Sequence, residues 1–326
     1  MKIAFFWTWE FSKNIWERLI EDYSHEIEIK LMVSQPDKPV GRKKIMTKTP
    51  VKVLAEENNI EILQPTRLKP HPNPPLIKGG DRTKEFYEIL ESLELDFIVV
   101  VAYWKIIPKE ILEAPKYGCI NIHGSVLPLY RWASPIQESI KNGDEETGIT
   151  IMYMSEWMDE WDILSIEKVD IKSHDKTEGI FKKFEKIWPN LLVDTLKKII
   201  NWDIKWKKQD DTQATYCSKI NKTDGEINFV SQTAQEIYNK YRAYSPWPWI
   251  YTYYNGKKIS IEDCEVLILW WEKNKSWEVI TLEDKKIWVI CSEWIVIIKQ
   301  IKLEWKKSMD ILSFINGNKD FLDYNF

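Results

Sequence analysis

The apolar run 97–102 constrains the fold of this chain more than any other feature. It reads FIVVVA without interruption, which is typical of a strand buried on both faces of a parallel sheet. Other short apolar stretches alternate with segments of helical spacing. This alternation predicts a doubly wound α/β domain in which ligands bind at the carboxyl ends of the strands. The predicted strands are 2–6, 27–33, 60–63, 97–102, 118–123 and 148–154, and the predicted helices are 11–23, 50–58, 134–141 and 177–200.

The pattern changes after the last of these helices. Residues 202–212 are polar and charged, and a run of short β-rich segments follows a helix predicted at 233–244. Asn255-Gly256 is a hairpin turn signal, and the region predicts a small β-barrel. The sequence therefore predicts a first domain over 1–202, a linker over 203–220 and a second domain over 221–326. The β-rich segments are 250–254, 257–261, 266–269, 286–291 and 295–301.

Composition excludes several classes of protein. At 326 residues the chain is long enough for two domains. Its net charge of −4 is no global nucleic-acid signature, so any such binding must come from a local basic patch. Cys119, Cys217, Cys264 and Cys291 are scattered without a CxxC pair, which argues against a zinc site and favours a reducing compartment. No run is apolar enough to span a membrane. We expect a soluble, cytoplasmic protein with no metal.

A trio of polar residues follows the buried strands. Asn121 and His123 stand on alternate residues of the predicted strand 118–123, so their side chains point to the same face. Asp159 comes after the next predicted strand and would orient the imidazole and favour its charged form. An amide and an imidazolium stabilise the oxyanion that forms when an amine attacks a carbonyl carbon. The trio contains no Ser or Cys, which favours direct acyl transfer over a covalent intermediate.

The chain resembles the folate-dependent formyltransferases almost from end to end. A lone Asn-x-His would be a weak signal, whereas several long motifs in the same order are a strong one. The segment 71–81, which is rich in Pro and Gly, looks inserted relative to the family and is predicted to be an exposed loop. The motifs are SQPDKPVGR (34–42), TPVKVLA (49–55), GCINIHGSVLP (118–128), ETGITIM (146–152), ATY (214–216), RAYSPWP (242–248) and KKSM (306–309).

The resemblance implies a set of roles. It implies 10-formyltetrahydrofolate as the formyl donor, the α-amino group of methionyl initiator tRNA as the acceptor, and an OB-like second domain. Asn121, His123 and Asp159 would be the catalytic residues; Asp159 is preferred to Asp162 because its spacing from His123 matches the family motif. The expected assembly is a monomer. The folate-binding residues implied are Ser125, Val126, Leu127 and Pro128 in one turn, together with Tyr103.

A basic loop over 35–52 is the candidate RNA contact. From Lys38 to Lys52 it carries six basic residues and no acidic one, and Pro and Gly restrict or bend it. Most short basic runs are simply solvated loops, yet basic side chains on a projecting loop contact phosphates irrespective of sequence. The resemblance assigns this loop to the acceptor stem of the tRNA, through Arg42, Lys43 and Lys44.

Other functions stay open at this point. A formyltransferase acting on an amino sugar nucleotide shares the trio and the folate turn but lacks the full basic loop. Purine-pathway transformylases would end near the predicted linker, so the length of this chain disfavours them. A non-catalytic tRNA-binding relative would have lost activity through bulky tryptophans near the site. A dinucleotide-binding domain is disfavoured. Even if Trp7 and Trp9 stood for glycines, residues 7–9 would give only the first half of the GxGxxG motif.

The tryptophan content is out of line. The chain has 18 Trp and 11 Gly, although Gly usually makes up about 7% of residues. Several tryptophans fall in predicted turns, where glycine is favoured because it has no Cβ. Our hypothesis is that the organism reads the codon UGA as glycine, and that this sequence was translated with UGA as tryptophan. Tryptophan at 104, 132 and 161 in peptides of the native protein would end it. Trp247 is expected to be genuine, and the suspect positions are Trp7, Trp9, Trp104, Trp132, Trp157, Trp161, Trp249, Trp294 and Trp305.

Overall fold

The structure is a computed structural model that describes residues 1–8, 13–41, 43–69, 83–103, 105–154, 159–268, 279–281 and 287–323. Its chain divides into two compact units. Unit 1 comprises Met1–Arg131, Gly148–Val169 and Phe181–Tyr216, and unit 2 comprises Trp132–Thr147, Asp170–Ile180 and Cys217–Phe326. The domain boundaries predicted from the sequence are continuous ranges and do not include the two short segments, Trp132–Thr147 and Asp170–Ile180, that belong to unit 2. Those boundaries stay a prediction.

The described strands and helices are numbered in chain order. The strands are β1 (Lys2–Trp7), β2 (Glu28–Val33), β3 (Lys38–Val40), β4 (Ile45–Thr47), β5 (Ile62–Leu63), β6 (Phe97–Val101), β7 (Cys119–His123), β8 (Arg131–Trp132), β9 (Glu146–Tyr153), β10 (Ile163–Asp170), β11 (Tyr216–Cys217), β12 (Ile250–Tyr254), β13 (Lys257–Leu267), β14 (Val279–Thr281), β15 (Ile287–Ile290), β16 (Ile295–Leu303) and β17 (Met309–Asp310). The helices are α1 (Lys13–Tyr23), α2 (Pro50–Glu57), α3 (Thr83–Ser92), α4 (Lys109–Leu112), α5 (Pro135–Asn142), α6 (Thr177–Ile200), α7 (Ala234–Tyr244) and α8 (Ile311–Asn316).

The large sheet has the strand order β10-β9-β7-β6-β1-β2-β5. β6 lies in its middle and pairs in parallel with β1 and β7, as its unbroken apolar run predicts. β9 pairs antiparallel with β7, so the sheet is mixed rather than wholly parallel. The predicted α/β architecture is confirmed with that one refinement.

The core of unit 1 forms where β1 and β6 meet the helices. Phe6 is fully buried, and its ring stands edge-on to Phe86 of α3 and to Tyr103, at centroid distances of 6.2 and 5.3 Å. Ile98 and Val100 of β6 belong to the same cluster. Burial of such rings against aliphatic strands fixes β6 and the neighbouring β7, which carries the candidate site.

The sheet of unit 2 is antiparallel, with strand order β12-β13-β16-β15-β14 and β17 on β16. Tyr254, Phe314 and Phe321 pack edge-on against one another at 5.0 to 5.8 Å between centroids. α7 begins with a capping box, in which the Thr233 hydroxyl accepts from the Glu236 N–H and the Glu236 carboxylate accepts from the Thr233 N–H. The predicted β-rich second domain is confirmed, with an antiparallel sheet, and its closure into an OB-like barrel stays a prediction.

Two features differ from the sequence expectations. The basic loop forms a short antiparallel hairpin, β3–β4. The segment predicted as a linker contributes to unit 1, since Lys207 pairs with Ile163 and Gln209 is buried.

Among the described residues no helix has the length and apolarity needed to cross a membrane. The insertion over 71–81 lies outside the described residues.

Candidate active site

The candidate site is built on β7 and on the segment that follows β9. Asn121 and His123 occupy alternate positions of β7, and His123 is buried. Asp159 lies six residues after the last residue of β9. The structure brings these three predicted residues together at the carboxyl end of β7, where an α/β sheet ordinarily holds its ligand.

One carboxylate oxygen joins the other two side chains. Asn121 Nδ2 donates to Asp159 Oδ1 at 3.1 Å, and His123 Nδ1 lies 3.7 Å from the same oxygen. The side chains of His123 and Asp159 are 6% and 11% exposed. An amide nitrogen carries two hydrogens, so the bond to Asp159 leaves Asn121 a second N–H for a substrate oxygen.

The other ring nitrogen of His123 is held by the main chain. Nε2 lies 2.9 Å from the carbonyl oxygen of Tyr130. Because a carbonyl oxygen only accepts, Nε2 carries a hydrogen in this arrangement. Nδ1 is the nitrogen that faces Asp159. Sequence reasoning missed Tyr130, since a main-chain acceptor leaves no mark on residue type.

Asp159 is held through its own main chain by Gln209. Gln209 Nε2 donates to the carbonyl oxygens of Asp159 and Trp161, at 2.9 and 2.7 Å. Asp159 has a φ of 58°, a left-handed conformation that Asp adopts more readily than most residues. Gln209 is buried within a segment whose polar composition predicted a linker, so its contribution was not expected.

Arg131 fixes Gln209 in turn. Its Nε and Nη2 donate to Gln209 Oε1 at 3.2 and 2.8 Å, and Nη2 also donates to Asp211 Oδ1 at 2.6 Å. Arg131 is 1% exposed. A buried guanidinium needs such acceptors, because an unpaired buried charge is costly. No sequence motif pointed to this residue.

The turn 125–128 follows His123 and is tied to β9. Ser125 Oγ donates to the carbonyl oxygen of Leu129 at 2.5 Å, and Thr150 Oγ1 donates to the Ser125 carbonyl and accepts from the Leu127 N–H. Leu127 packs on Met152 and Ile163. Ser125 and Leu127 therefore shape the turn from inside, whereas Val126 and Pro128 are only half-buried.

Gly148 on β9 makes room for this turn. A Cβ at that position would lie 2.8 Å from Val126 Cγ2 and 2.6 Å from the carbonyl oxygen of Glu167. Neither distance is compatible with a side chain. The glycine therefore lets the turn approach the sheet closely.

Comparison with known proteins decides the family. Residues 1–196 match the family model described as formyl transferase, and residues 219–319 match that described as formyl transferase, C-terminal domain. The chain belongs to the formyltransferase family. A methionyl-tRNA formyltransferase of Caldicellulosiruptor saccharolyticus is 42% identical over 98% of this chain and 97% of its own length. One of Sulfurimonas denitrificans is 38% identical with the same coverage.

A solved structure supports the same fold. A sugar 3N-formyl transferase (WlaRD), determined in the presence of dTDP and 5-N-formyl-THF, superimposes with a TM-score of 0.61. It covers 94% of this chain and 99% of its own, at 19% identity. At that identity the likeness concerns the fold alone. Enzymes of the family use folate-derived formyl donors.

Tyr103 of this formyltransferase lies in the core cluster of unit 1. It is buried, its carbonyl oxygen accepts from Gln35 Nε2 at 3.2 Å, and its hydroxyl has no hydrogen-bond partner among the described residues. Burial raises the pKa of its hydroxyl. A buried hydroxyl without a partner is a group that a ligand could satisfy.

The basic hairpin of the formyltransferase is partly neutralised by acids that flank it. Lys52 Nζ donates to Asp37 at 2.8 Å, and Lys48 Nζ donates to Glu56 at 2.6 Å. Lys43 and Lys44 lie exposed in the turn between β3 and β4. Arg42 lies outside the described residues.

No residues of this formyltransferase mark a metal site within the described ranges. There, no group of three or more His, Cys, Asp or Glu side chains is arranged to hold an ion. None of the four cysteines forms a disulfide, and all four are buried.

Proposed function

We propose that this enzyme transfers a formyl group from 10-formyltetrahydrofolate to the α-amino group of methionyl initiator tRNA. The observation that carries the proposal is the shared contact of Asn121 and His123 with Asp159 at the end of β7. The relatives of 42% and 38% identity that carry the name methionyl-tRNA formyltransferase support this acceptor.

The trio supplies what direct transfer requires. As the neutral amine attacks the formyl carbon, negative charge develops on the formyl oxygen. The free N–H of Asn121 and the Nδ1–H of protonated His123 would donate to that oxygen. Asp159 stabilises the imidazolium by its charge and holds Asn121 by its hydrogen bond. The C–N bond to the folate nitrogen then breaks, and the proton lost by the amine ends on that nitrogen, with Asp159 and a water as its route.

The turn 125–128 is the proposed seat of the folate. Its inner residues, Ser125 and Leu127, are held by Thr150 and by packing. Pro128 and the part of Val126 that does not lie against Gly148 are half-buried and available to a ligand. A preformed turn lowers the entropy cost of binding. The unpartnered hydroxyl of Tyr103 fits a polar edge of the donor.

The acceptor is tested by comparing two acceptor substrates in separate reactions. The protein is incubated with 10-formyltetrahydrofolate and either methionyl initiator tRNA or a dTDP-linked amino sugar, and formylated product is measured. We expect transfer to the tRNA only. Transfer to the amino sugar alone would keep the chemistry of the trio and reject the tRNA acceptor.

The trio is tested by Asn121→Ala and Asp159→Asn. Losing one oxyanion donor typically lowers turnover about 10²–10³-fold, and we expect a fall of that order in each variant, measured under saturating substrates. Far-UV circular dichroism checks that the variants fold. Turnover close to that of the wild type in either variant would remove that residue from the mechanism.

A further inference from the structure

We infer that Gln209, held by Arg131, is a positioning residue for Asp159, an inference that rests on the proposed function. Its amide nitrogen donates to the main-chain carbonyls of Asp159 and Trp161, so the contacts do not depend on the side chain at 161. Through them Gln209 fixes the main chain at, and two residues after, the residue whose carboxylate meets Asn121 and His123.

Arg131 makes this arrangement rigid. Its two contacts with Gln209 Oε1 fix which end of the amide faces Asp159, because a guanidinium only donates and the oxygen must turn toward it. The preceding residue, Tyr130, presents its carbonyl to His123 Nε2. The chain at 130–131 thus orients His123 directly and Asp159 through Gln209. Misplacement of a reacting group by about 1 Å can cost about 10²-fold in rate.

The test is a double-mutant cycle in the full chain. Gln209→Leu, Asp159→Asn and the double variant are compared for kcat and for KM of both substrates. We expect Gln209→Leu to lower kcat about tenfold to a hundredfold with little change in either KM. The double variant should be no slower than Asp159→Asn alone, because a residue that acts through Asp159 has nothing left to position.

The controls separate positioning from folding. Gln213→Leu removes an exposed amide four residues away and should keep wild-type kinetics. If Gln209→Leu does not fold, Gln209→Glu keeps the acceptor for Arg131 and removes the donor to Asp159. Unchanged kcat, or costs that multiply in the double variant, would overturn the inference. Wild-type turnover in Asp159→Asn would instead remove Asp159 from the mechanism, whereas no formyl transfer to the tRNA by the wild-type protein would overturn the proposed function.

A second inference rests on the backbone: we propose that the native protein carries glycine at the tryptophans with left-handed conformation. Bulky residues are rare at positive φ, yet five of the described non-glycine residues found there are tryptophans. Four of them were suspected from the sequence, and the structure adds Trp202. The five are Trp132 (83°), Trp202 (56°), Trp249 (67°), Trp294 (64°) and Trp305 (66°).

Trp202 shows why glycine belongs there. Helix α6 ends with two reversed hydrogen bonds, from the Trp202 N–H to the Ile199 carbonyl at 3.1 Å and from the Asp203 N–H to the Lys198 carbonyl at 2.9 Å. This is the Schellman motif, in which Trp202 occupies the left-handed position usually held by glycine. Trp7 and Trp161 are described without a positive φ, and Trp9, Trp104 and Trp157 lie outside the described residues.

The codons and the native protein decide this inference. We expect UGA codons at the five positions, a UGG codon at Trp247, and glycine at the five positions in peptides identified by mass spectrometry of protein isolated from its own organism. UGG codons at the five positions, or tryptophan in those peptides, would overturn it.

Discussion

Trp202 is 85% exposed and holds a φ of 56°. The strain of this backbone conformation can be measured as the change in the free energy of unfolding when Trp202 is replaced by glycine. A left-handed conformation costs a residue with a Cβ roughly 1–2 kcal/mol, while glycine gains entropy in the unfolded chain. We expect Trp202→Gly to raise the free energy of unfolding by about 1 kcal/mol, measured in urea.

The matched control is Trp206→Gly. Trp206 is also exposed, at 60%, and is not among the residues of positive φ. Replacing it relieves no backbone strain, and we expect a lower stability because glycine loosens the unfolded chain. Equal shifts in the two variants would mean that backbone conformation is not the cause.

At the same scale, part of the candidate site could be predicted from the sequence. Alternation along a strand placed Asn121 and His123 on one face, and the structure brings Asp159 to them. Gln209 lies 50 residues beyond Asp159 and 78 beyond Arg131. A single amide in a polar segment has no pattern that distinguishes burial from solvation, so this part of the site needs the tertiary structure.

At the scale of elements, strands buried on both faces were the most predictable. β6 and β7 were expected within one residue of their observed ends. β10 was missed because it is an edge strand whose second half carries exposed polar side chains, which weakens the apolar pattern. The antiparallel direction of β9 was also not predicted, since a strand's own composition does not state which way its neighbour runs.

Asp37, at the base of the β3–β4 hairpin, gives that element a pH dependence. Burial opposes its ionisation, but hydrogen bonds from Lys52, Gln64 and the Thr49 N–H hold the pKa of Asp37 below its ordinary value. A lowered carboxyl pKa stabilises the fold above the unfolded pKa of about 3.9, and this stability is lost as pH falls through the folded pKa.

Asp37→Asn should therefore lower the free energy of unfolding by about 1–2 kcal/mol at neutral pH. The difference from the wild type should shrink as the pH falls below about 4, because the wild-type carboxyl is then protonated too. Urea unfolding at a series of pH values measures this. A difference that stays constant down to acid pH would show that the charge of Asp37 is not involved.

The turn of the same hairpin carries the charge test of the proposed tRNA contact. Lys43 and Lys44 are exposed, and each phosphate contact contributes about 0.7–0.9 to the slope of log affinity against log salt. We expect Lys43→Gln with Lys44→Gln to raise KM for the tRNA, to lower its salt dependence, and to leave KM for the folate unchanged. Lys84→Gln with Lys109→Gln, which removes two exposed charges from α3 and α4, is the control. An equal rise in KM for the control pair would reject a specific role of the hairpin.

At the scale of the whole molecule, each sheet has an apolar core: Phe6 and Ile98 lie in that of the large sheet, and Tyr254 and Phe314 in that of the small one. Elements with cores of their own tend to unfold as cooperative units. Buried thiols supply a probe in each, since Cys119 belongs to the large sheet and Cys264 to the small one.

These thiols are protected twice in the folded protein. Cys119, Cys264 and Cys291 are buried, and burial raises their pKa, to about 12 for Cys291. Since only the thiolate reacts, none should be alkylated in the native protein near the ordinary thiol pKa of about 8.5. Each becomes reactive when the sheet around it opens.

We expect two urea midpoints when alkylation is followed cysteine by cysteine with mass spectrometry. Cys264 lies on β13 and Cys291 directly follows β15 of the same sheet, so these two should share one midpoint. Cys119 should have another, because its sheet has its own core. The unreacted Cys264 then serves as an internal control for Cys119, and the reverse. A single midpoint for all three thiols would mean that the chain unfolds as one cooperative body, and that the two predicted domains are not independent in stability.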